Sequence, residues 1–259
     1  MSLELFEKVI AQAAPLTELV CFHLMGEPLV HPQLSELIKV CEKHHVNIFF
    51  VSNGILLKPE HHQLLTHPSF YQVNFSLHSF FDNFPGKDPQ IYLKKIFDWT
   101  DYALSARPDL YINFRLWNLQ DVRGDATENK VMLEKIKEHY SFEFNPSQLN
   151  IKKNKSFPIQ NRLYLHFDTE FIWPDLNLPV LGTKGTCYGL SSHIGILVDG
   201  TVVPCCLDKE GIMDLGNIQE HSLEEILSST RAMKILKGFK NKQLEESLCQ
   251  RCQYIERFN

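Results

Sequence analysis

The stretch ELVCFHLMGEPLVHPQLSELIKVCEKHHVNIFFVSNG, residues 18–54, reads as strand, turn, helix and strand again. Glu18 to Met25 is apolar enough for a buried strand, and Gly26-Glu27-Pro28 follows it. Pro32 stands at the first turn of a helix, where its missing N–H does no harm. Leu34, Leu37, Ile38 and Cys41 then fall on one helical face. Val46 to Ser52 is a second apolar strand, ended by Asn53-Gly54. Two strands joined by a crossover helix form the unit of a parallel sheet, because parallel neighbours need a connection long enough to return to the same end.

The alternation continues on both sides. Leu5, Phe6, Val9, Ile10 and Ala13 predict a helix that Pro15 ends. Downstream, Pro59 to Thr66 predicts a helix, Tyr71 to His78 a strand, Ile91 to Ala106 a helix, Leu110 to Trp117 a strand and Lys130 to His139 a helix. This is the pattern of a parallel sheet covered by helices, and periodicity alone leaves open whether the sheet is flat or curled into a barrel. Either form binds ligands at the C-terminal ends of its strands. The unusual residues gather there: Gly26-Glu27-Pro28, Ser52-Asn53-Gly54, Ser76-Leu77-His78, and Asn113 with Arg115. Taken singly, Gly-Glu-Pro and Asn-Gly are ordinary turn formers, and His23 and His78 are compatible with satisfied core histidines. Arg115, inside an apolar strand, calls for an internal salt bridge or a bound anion.

Five of the seven cysteines lie near the other end: Cys187, Cys205, Cys206, Cys249 and Cys252. Ile194 to Val198 and Thr201 to Cys206 are apolar runs joined by Asp199-Gly200, a pair that predicts a type I′ hairpin. Such pairing brings Cys205 beside the approach to Cys187. Cys249-Gln-Arg-Cys252 adds two thiols whose spacing lets both point at one centre. Successive strand residues face opposite ways, so one of Cys205 and Cys206 reaches that centre, and Cys205 is the one expected. Cys187, Cys205, Cys249 and Cys252 admit either a tetrahedral zinc ion or an iron–sulfur cluster, and spacing does not separate the two. Disulfides fit less well, given the odd cysteine number and opening residues without the basic and apolar regions of an export signal.

The remaining text sets bounds. A net charge of −5 without a basic block argues against nucleic acid and anionic membrane as partners. No apolar run approaches the roughly 18 to 20 residues of a membrane span, and a cytoplasmic protein of one or two domains fits 259 residues. Asn145-Pro146, Lys152 to Lys155 and Phe157-Pro158 read as exposed linker. Arg162 to Phe167 reads as a strand, and Phe171 to Leu181 as an apolar extended segment packed on the barrel or roofing a cavity. Leu223 to Leu236 predicts a helix with Ser222 and Glu225 as a capping box. A dinucleotide-binding enzyme is disfavoured by the lack of any Gly-x-Gly-x-x-Gly turn.

These motifs together resemble the radical S-adenosylmethionine enzymes that end in an auxiliary-cluster module, SPASM or its shorter twitch form. VDGTVVPCCLD (198–208), LGNIQEHSLEEIL (215–227) and the cysteine order carry the likeness at the C-terminal end. HLMGEPLVHP (23–32), VSNG (51–54), SLHS (76–79) and NFRLWN (113–118) are similar to the motifs after the second to fifth barrel strands. The resemblance implies an α/β fold: a partial (β/α)6 barrel whose first strand is missing here, then a small cysteine-rich domain with a β-hairpin and helix. Residues 1–145 would be the barrel, 146–186 a connector packed on it and 187–259 the auxiliary-cluster domain. It implies one auxiliary [4Fe-4S] cluster on Cys187, Cys205, Cys249 and Cys252 in place of zinc. Gly26, Glu27 and Pro28 would receive the amino end of the cofactor's methionine, with Asn53 beside them. Ser52 and Ser76 would approach the ribose and Arg115 the methionine carboxylate.

The family's catalytic [4Fe-4S] cluster is held by Cys-x-x-x-Cys-x-x-Cys, and no such triplet occurs in this sequence. MSLELFEKVI resembles the helix that follows that triplet, so Met1 is expected to be internal, with roughly 25 to 35 residues upstream. The intact protein would then generate a 5′-deoxyadenosyl radical for hydrogen abstraction from an unidentified, peptide or protein, substrate. Its reductant would be a flavodoxin or ferredoxin. The alternative is a non-catalytic protein stabilised by zinc or a cluster that binds a partner.

Overall fold

The computed structural model describes residues 1–120, 127–145, 149–170 and 172–258. They form two compact units, Glu18–Glu170 and Met1–Thr17 together with Phe171–Asn259. The boundaries expected near 145 and 186 follow chain order, whereas contacts group the first helix, α1 (Leu3–Ala13), with the C-terminal residues. Val9 and Ala13 of α1 share a core with Ile218, Leu223 and Ile226. Lys8 donates to the Gln219 carbonyl at 3.1 Å, and the Gln12 side chain accepts from the Leu223 N–H at 2.7 Å.

The unit Glu18–Glu170 runs β1 (Leu19–Phe22), α2 (Leu34–Lys43), β2 (Asn47–Ser52), α3 (His61–Leu64), β3 (Phe70–Ser76), α4 (Ser79–Asn83), α5 (Gln90–Ala106), β4 (Tyr111–Leu119), α6 (Thr127–Tyr140), β5 (Ser156–Gln160) and β6 (Leu163–Thr169). The strands lie in the order β1-β2-β3-β4-β6-β5. All neighbours are parallel except β5, which runs antiparallel on β6 at the sheet's edge. The parallel strands follow chain order without reversal, as in the wall of a barrel; a doubly wound sheet reverses at a switch point.

Strand alternation gives this wall two unlike faces. Ile48, Phe50, Val73, Phe75, Ile112, Phe114, Leu116, Leu163, Leu165 and Phe167 are all buried. Phe75 meets Trp99 of α5 edge-on at 5.3 Å, and Phe114 meets Phe97 at 6.0 Å. Burying each such side chain contributes about 1.5–3 kcal/mol, so this row holds the sheet to its helices. The intervening residues give the other face its polar groups: Asn74, Ser76, Asn113, Arg115, Tyr164, His166 and Asp168.

Two sequence expectations need correction here. Phe157-Pro158, expected in exposed linker, lies in β5, with Phe157 against Phe144 at 5.2 Å and Phe167 at 5.8 Å. An edge strand tolerates the proline because one side of its backbone needs no ladder partner; Pro146 lies outside the described residues. The helix expected from Pro59 to Thr66 shrinks to His61–Leu64.

In the other unit, β7 (Gly195–Ile196) and β8 (Val202–Val203) form the expected hairpin, followed by α7 (Leu223–Leu227) and α8 (Thr230–Lys240). Its turn is not type I′, because only Gly200 of the Asp-Gly pair has positive φ, +94°. The Gly200 N–H reaches the Leu197 carbonyl at 3.0 Å, and the Asp199 carboxylate accepts from the Thr201 N–H at 3.0 Å. The capping box of Ser222 and Glu225 is present, but the expected helix breaks after Leu227. Ser228 bonds back to Glu224 and Ser229 starts α8 by accepting from the Ala232 N–H, the competition with the helix backbone that hydroxyls offer. In the apolar segment expected from Phe171, itself outside the described residues, Ile172, Leu176, Val180 and Leu181 are exposed. The Leu181 N–H and the Leu178 carbonyl are tied to Gln250 and Arg251.

Candidate functional site

At the C-terminal end of β1, Gly26 adopts φ +92° with open space where a side chain would stand, so backbone conformation alone requires glycine. Glu27 ties this loop to the next: its carboxylate accepts from the Leu29 N–H at 3.0 Å and the Asn53 N–H at 2.7 Å. Pro28 opens a single 3-10 turn, Pro28–Val30. Asn53 accepts from the Ile55 N–H at 2.9 Å, and its carbonyl takes the Tyr92 hydroxyl at 2.8 Å. Ser52 is buried, and its Oγ accepts from the Gly54 N–H at 2.9 Å. The side chains of Glu27, Ser52 and Asn53 therefore build the loops. Ser76, by contrast, lies on the polar face of β3, in register with Arg115 of β4.

Arg115 is only 8% exposed. Its guanidinium carbon lies 4.2 Å from the centre of the Trp117 ring and 5.5 Å from that of Phe49. Among the described residues no carboxylate pairs with it and no acceptor takes its N–H groups, so the internal salt bridge considered from the sequence is not formed. Burial pulls its pKa down to about 10, offset in part by Cys21. Burial, and then the charge of Arg115, hold His23 and His166 down at about 4. Burial also lowers His78, whose Nδ1 donates to the Arg115 carbonyl at 3.1 Å. Trp117 Nε1 donates to His166 Nδ1 at 2.8 Å, which leaves the His166 proton on Nε2. His23 Nδ1 is buried without a hydrogen-bond partner among the described residues. Sequence reasoning did not single out Trp117 or His166, although the alternation of Leu163 to Thr169 puts His166 on the polar face.

The C-terminal unit holds five free cysteines. Cys249 and Cys252 are buried in its core; Cys187, Cys205 and Cys206 are half-buried. Burial raises Cys205 to about 12, with Cys206, Cys187 and Cys252 adding to the effect. Cys249 is raised by burial and then by Cys205, Cys252 and Cys187; Cys252 by burial, with Cys187 and Cys206 among its neighbours; Cys206 by burial and Cys187. The Gly189 N–H donates to Cys187 Sγ at 3.4 Å, and Cys249 Sγ lies 3.6 Å from Met213 Sδ. The Leu190 N–H meets the Pro204 carbonyl at 3.1 Å, so the hairpin does bring the Cys187 turn beside Cys205. Cys205 and Cys206 lie in a bend beyond β8, where strand alternation no longer applies. Among the described residues no three His, Cys, Asp or Glu side chains are gathered around one point closely enough for a single metal ion. Buried thiols that would repel one another as thiolates suit a polynuclear cationic core. Cys21 is exposed on β1 and Cys41 buried in α2.

Residues 187–253 match the family model described as SPASM, an iron-sulfur cluster-binding domain. This part of the chain is similar to that domain. All five clustered thiols fall inside the match. No curated protein sequence matches the chain. Among solved structures, BtrN in complex with AdoMet and 2-DOIA is similar at 16% identity and a TM-score of 0.59, over 98% of this chain and 80% of that one. Native anSMEcpe with bound AdoMet is 13% identical with a TM-score of 0.54, over 96% and 79%. Streptococcus suis SuiB bound to precursor peptide SuiA is 14% identical with a TM-score of 0.56, over 99% of this chain and 64% of that one. At these identities the likeness is one of fold. The described residues share the fold of these three structures. No helix among the described residues is long and apolar enough to cross a membrane.

Proposed function

We propose that this chain is the cofactor-binding wall and SPASM domain of a radical S-adenosylmethionine enzyme, with a [4Fe-4S] auxiliary cluster on Cys187, Cys205, Cys249 and Cys252. The observation that carries the reading is the group of five cysteines, Cys249 and Cys252 buried and Cys187, Cys205 and Cys206 half-buried, inside the SPASM match. Four thiolate ligands leave no iron open, which favours electron transfer over substrate ligation. In the other unit, the backbone around Gly26, Glu27 and Pro28 receives the amino end of the cofactor's methionine, and Glu27 and Asn53 fix that loop. Arg115 binds its carboxylate, and Ser76 approaches the ribose more readily than Ser52, whose hydroxyl closes a turn. When bound, the cofactor and a catalytic [4Fe-4S] cluster supply a 5′-deoxyadenosyl radical for hydrogen abstraction. A peptide substrate is supported by the likeness to SuiB, solved with its precursor peptide, and a flavodoxin or ferredoxin is the reductant the chemistry calls for.

The alternative reading is a non-catalytic protein in which the same cysteines hold a structural metal. Iron, acid-labile sulfide and zinc per chain, measured after purification without oxygen, test both. About four irons and four sulfides, lost on Cys249→Ala, are expected for one cubane cluster. One zinc without sulfide would overturn the electron-transfer role and leave the structural reading.

A further inference from the structure

Arg115 is the only residue on the polar face that combines near-complete burial, a permanent charge and no counter-ion among the described residues. The groups that face it are the Phe49 and Trp117 rings, the His23, His78 and His166 imidazoles, and Cys21. A guanidinium has a long, flexible stem, and a bidentate contact with a carboxylate works only when its plane is fixed. Here the plane has two rings to rest on, the nearer being Trp117 at 4.2 Å. A flat ring fixes that plane only if the ring itself is fixed. The Trp117 indole has one hydrogen-bonding atom, and it donates to His166 Nδ1 at 2.8 Å. His166 sits on β6 in register with Arg115 on β4. The chain Arg115, Trp117, His166 thus spans two neighbouring strands and ends on rigid sheet.

We propose that Trp117 and His166 are positioning residues: His166 locks the indole, and the indole face holds the Arg115 guanidinium in the orientation that accepts a carboxylate. The inference rests on the reading of Arg115 as the carboxylate site of S-adenosylmethionine. It assigns two residues, one on β4 and one on β6, to selectivity for the amino-acid end of the cofactor, through a contact that neither makes itself. His166 accepts the indole proton only while Nδ1 is unprotonated, and its burial keeps it so at neutral pH.

Binding of S-adenosylmethionine and of decarboxylated S-adenosylmethionine to the 259-residue chain, by calorimetry at pH 7.5, tests it. A charge-assisted pair corresponds to about a 10- to 100-fold preference for the carboxylate-bearing ligand in the unaltered chain. Arg115→Met brings that preference to about one. His166→Phe and Trp117→Phe reduce it several-fold while the affinity for the decarboxylated ligand stays unchanged, and His166→Asn, which restores an acceptor near the Nδ1 position, recovers it. If the unaltered chain discriminates and both phenylalanine variants discriminate equally well, the positioning role is wrong and the Arg115 reading stands. Equal loss of both ligands in His166→Phe would mark a merely structural residue and also overturn it. If the unaltered chain does not discriminate, the Arg115 reading fails and the positioning role with it.

Discussion

Gly54→Ala is the substitution for which the structure specifies most. Gly54 has φ +73°, and a Cβ there would stand 2.8 Å from Ile96 Cδ1, 3.2 Å from Ile96 Cγ1 and 3.4 Å from Phe75 Cδ1. Two separate costs follow. The left-handed backbone costs an alanine about 1–2 kcal/mol, and crowding a packed core adds about 1–3 kcal/mol, for a total of about 2–5 kcal/mol. They separate in a double-mutant cycle, because Ile96→Val removes the atom at 2.8 Å and leaves the backbone cost untouched. Ile96→Val alone should lose about 0.5–1.5 kcal/mol; with Gly54→Ala it should lose less than the sum, by about 1 kcal/mol or more. Urea unfolding followed by far-ultraviolet circular dichroism gives each value, provided the denaturant slope is unchanged. A loss below about 0.5 kcal/mol for Gly54→Ala, the range of an ordinary surface change, or the same loss in both backgrounds, would refute the steric argument. The consequence reaches the ligand end of the sheet, since Gly54 follows Asn53, whose N–H and carbonyl engage Glu27 and Tyr92.

Asp208, 1% exposed, accepts from the Ile212 and Met213 N–H groups at 2.9 and 2.6 Å; Asp208→Ala should cost about 3–6 kcal/mol in urea unfolding and Asp208→Asn about half, from two charge-assisted bonds. Gly189→Ala would place a Cβ 3.0 Å from the Pro204 carbonyl and 3.6 Å from Cys205 Cβ, and should lower iron per chain at least twofold, whereas Gly182→Ala, with open space around it, should not. His23 has a folded pKa of about 4 against 6.5 for the free side chain, so the unfolded chain takes up the proton first on acidification. The resulting stability is complete above about pH 6.5 and is lost as pH falls through about 4, up to about 3 kcal/mol; His23→Leu should flatten the urea stability profile between pH 7 and 4.5, and parallel profiles would refute it. Arg115→Met should leave the ligand-free protein as stable or about 1 kcal/mol more stable, since it removes an unpaired buried charge, and a loss above about 1 kcal/mol would show that the charge is paired in solution.

The parallel wall was legible because its strands and helices are long and differ in period, so Val46 to Ser52 and Ile91 to Ala106 land within a residue or two of their observed ends. What the text hid was decided by tertiary context. Ser156 to Gln160 became a strand because Phe157 packs on Phe144 and Phe167 beside β6, a contact between residues that no local pattern links. Ser228-Ser229-Thr230 split one expected helix into two because hydroxyls can end and restart a helix within three residues. At the ligand end of the sheet, motif positions were legible but side-chain roles were not. Ser52 and Ser76 look alike in the sequence, yet they fall on opposite faces of their strands, one closing a turn and one beside Arg115. Glu27 and Asn53 likewise meet each other. The five thiols were found by spacing alone; that Cys205 and Cys206 stand in a bend, free of strand alternation, depended on β8 being only two residues long.

The two units leave the same kind of imbalance. A buried guanidinium without a carboxylate is electrostatically costly, and a methionine of similar volume would pack against Trp117 and Phe49 without that cost. Buried thiols whose pKa values rise together are stable only while protonated, and leucine or valine would fill the same core more simply. A sequence shaped for stability alone would hold neither. In one unit the missing complement is an anion with oxygen acceptors; in the other it is a cationic centre with affinity for sulfur. On the proposed reading those two complements are a carboxylate-bearing cofactor and an iron–sulfur cluster. Each site can be tested without the other, because Arg115→Met alters no thiol and Cys249→Ala no residue of the polar face. Loss of iron with carboxylate discrimination intact, and the converse, would show that the chain carries two independently built sites.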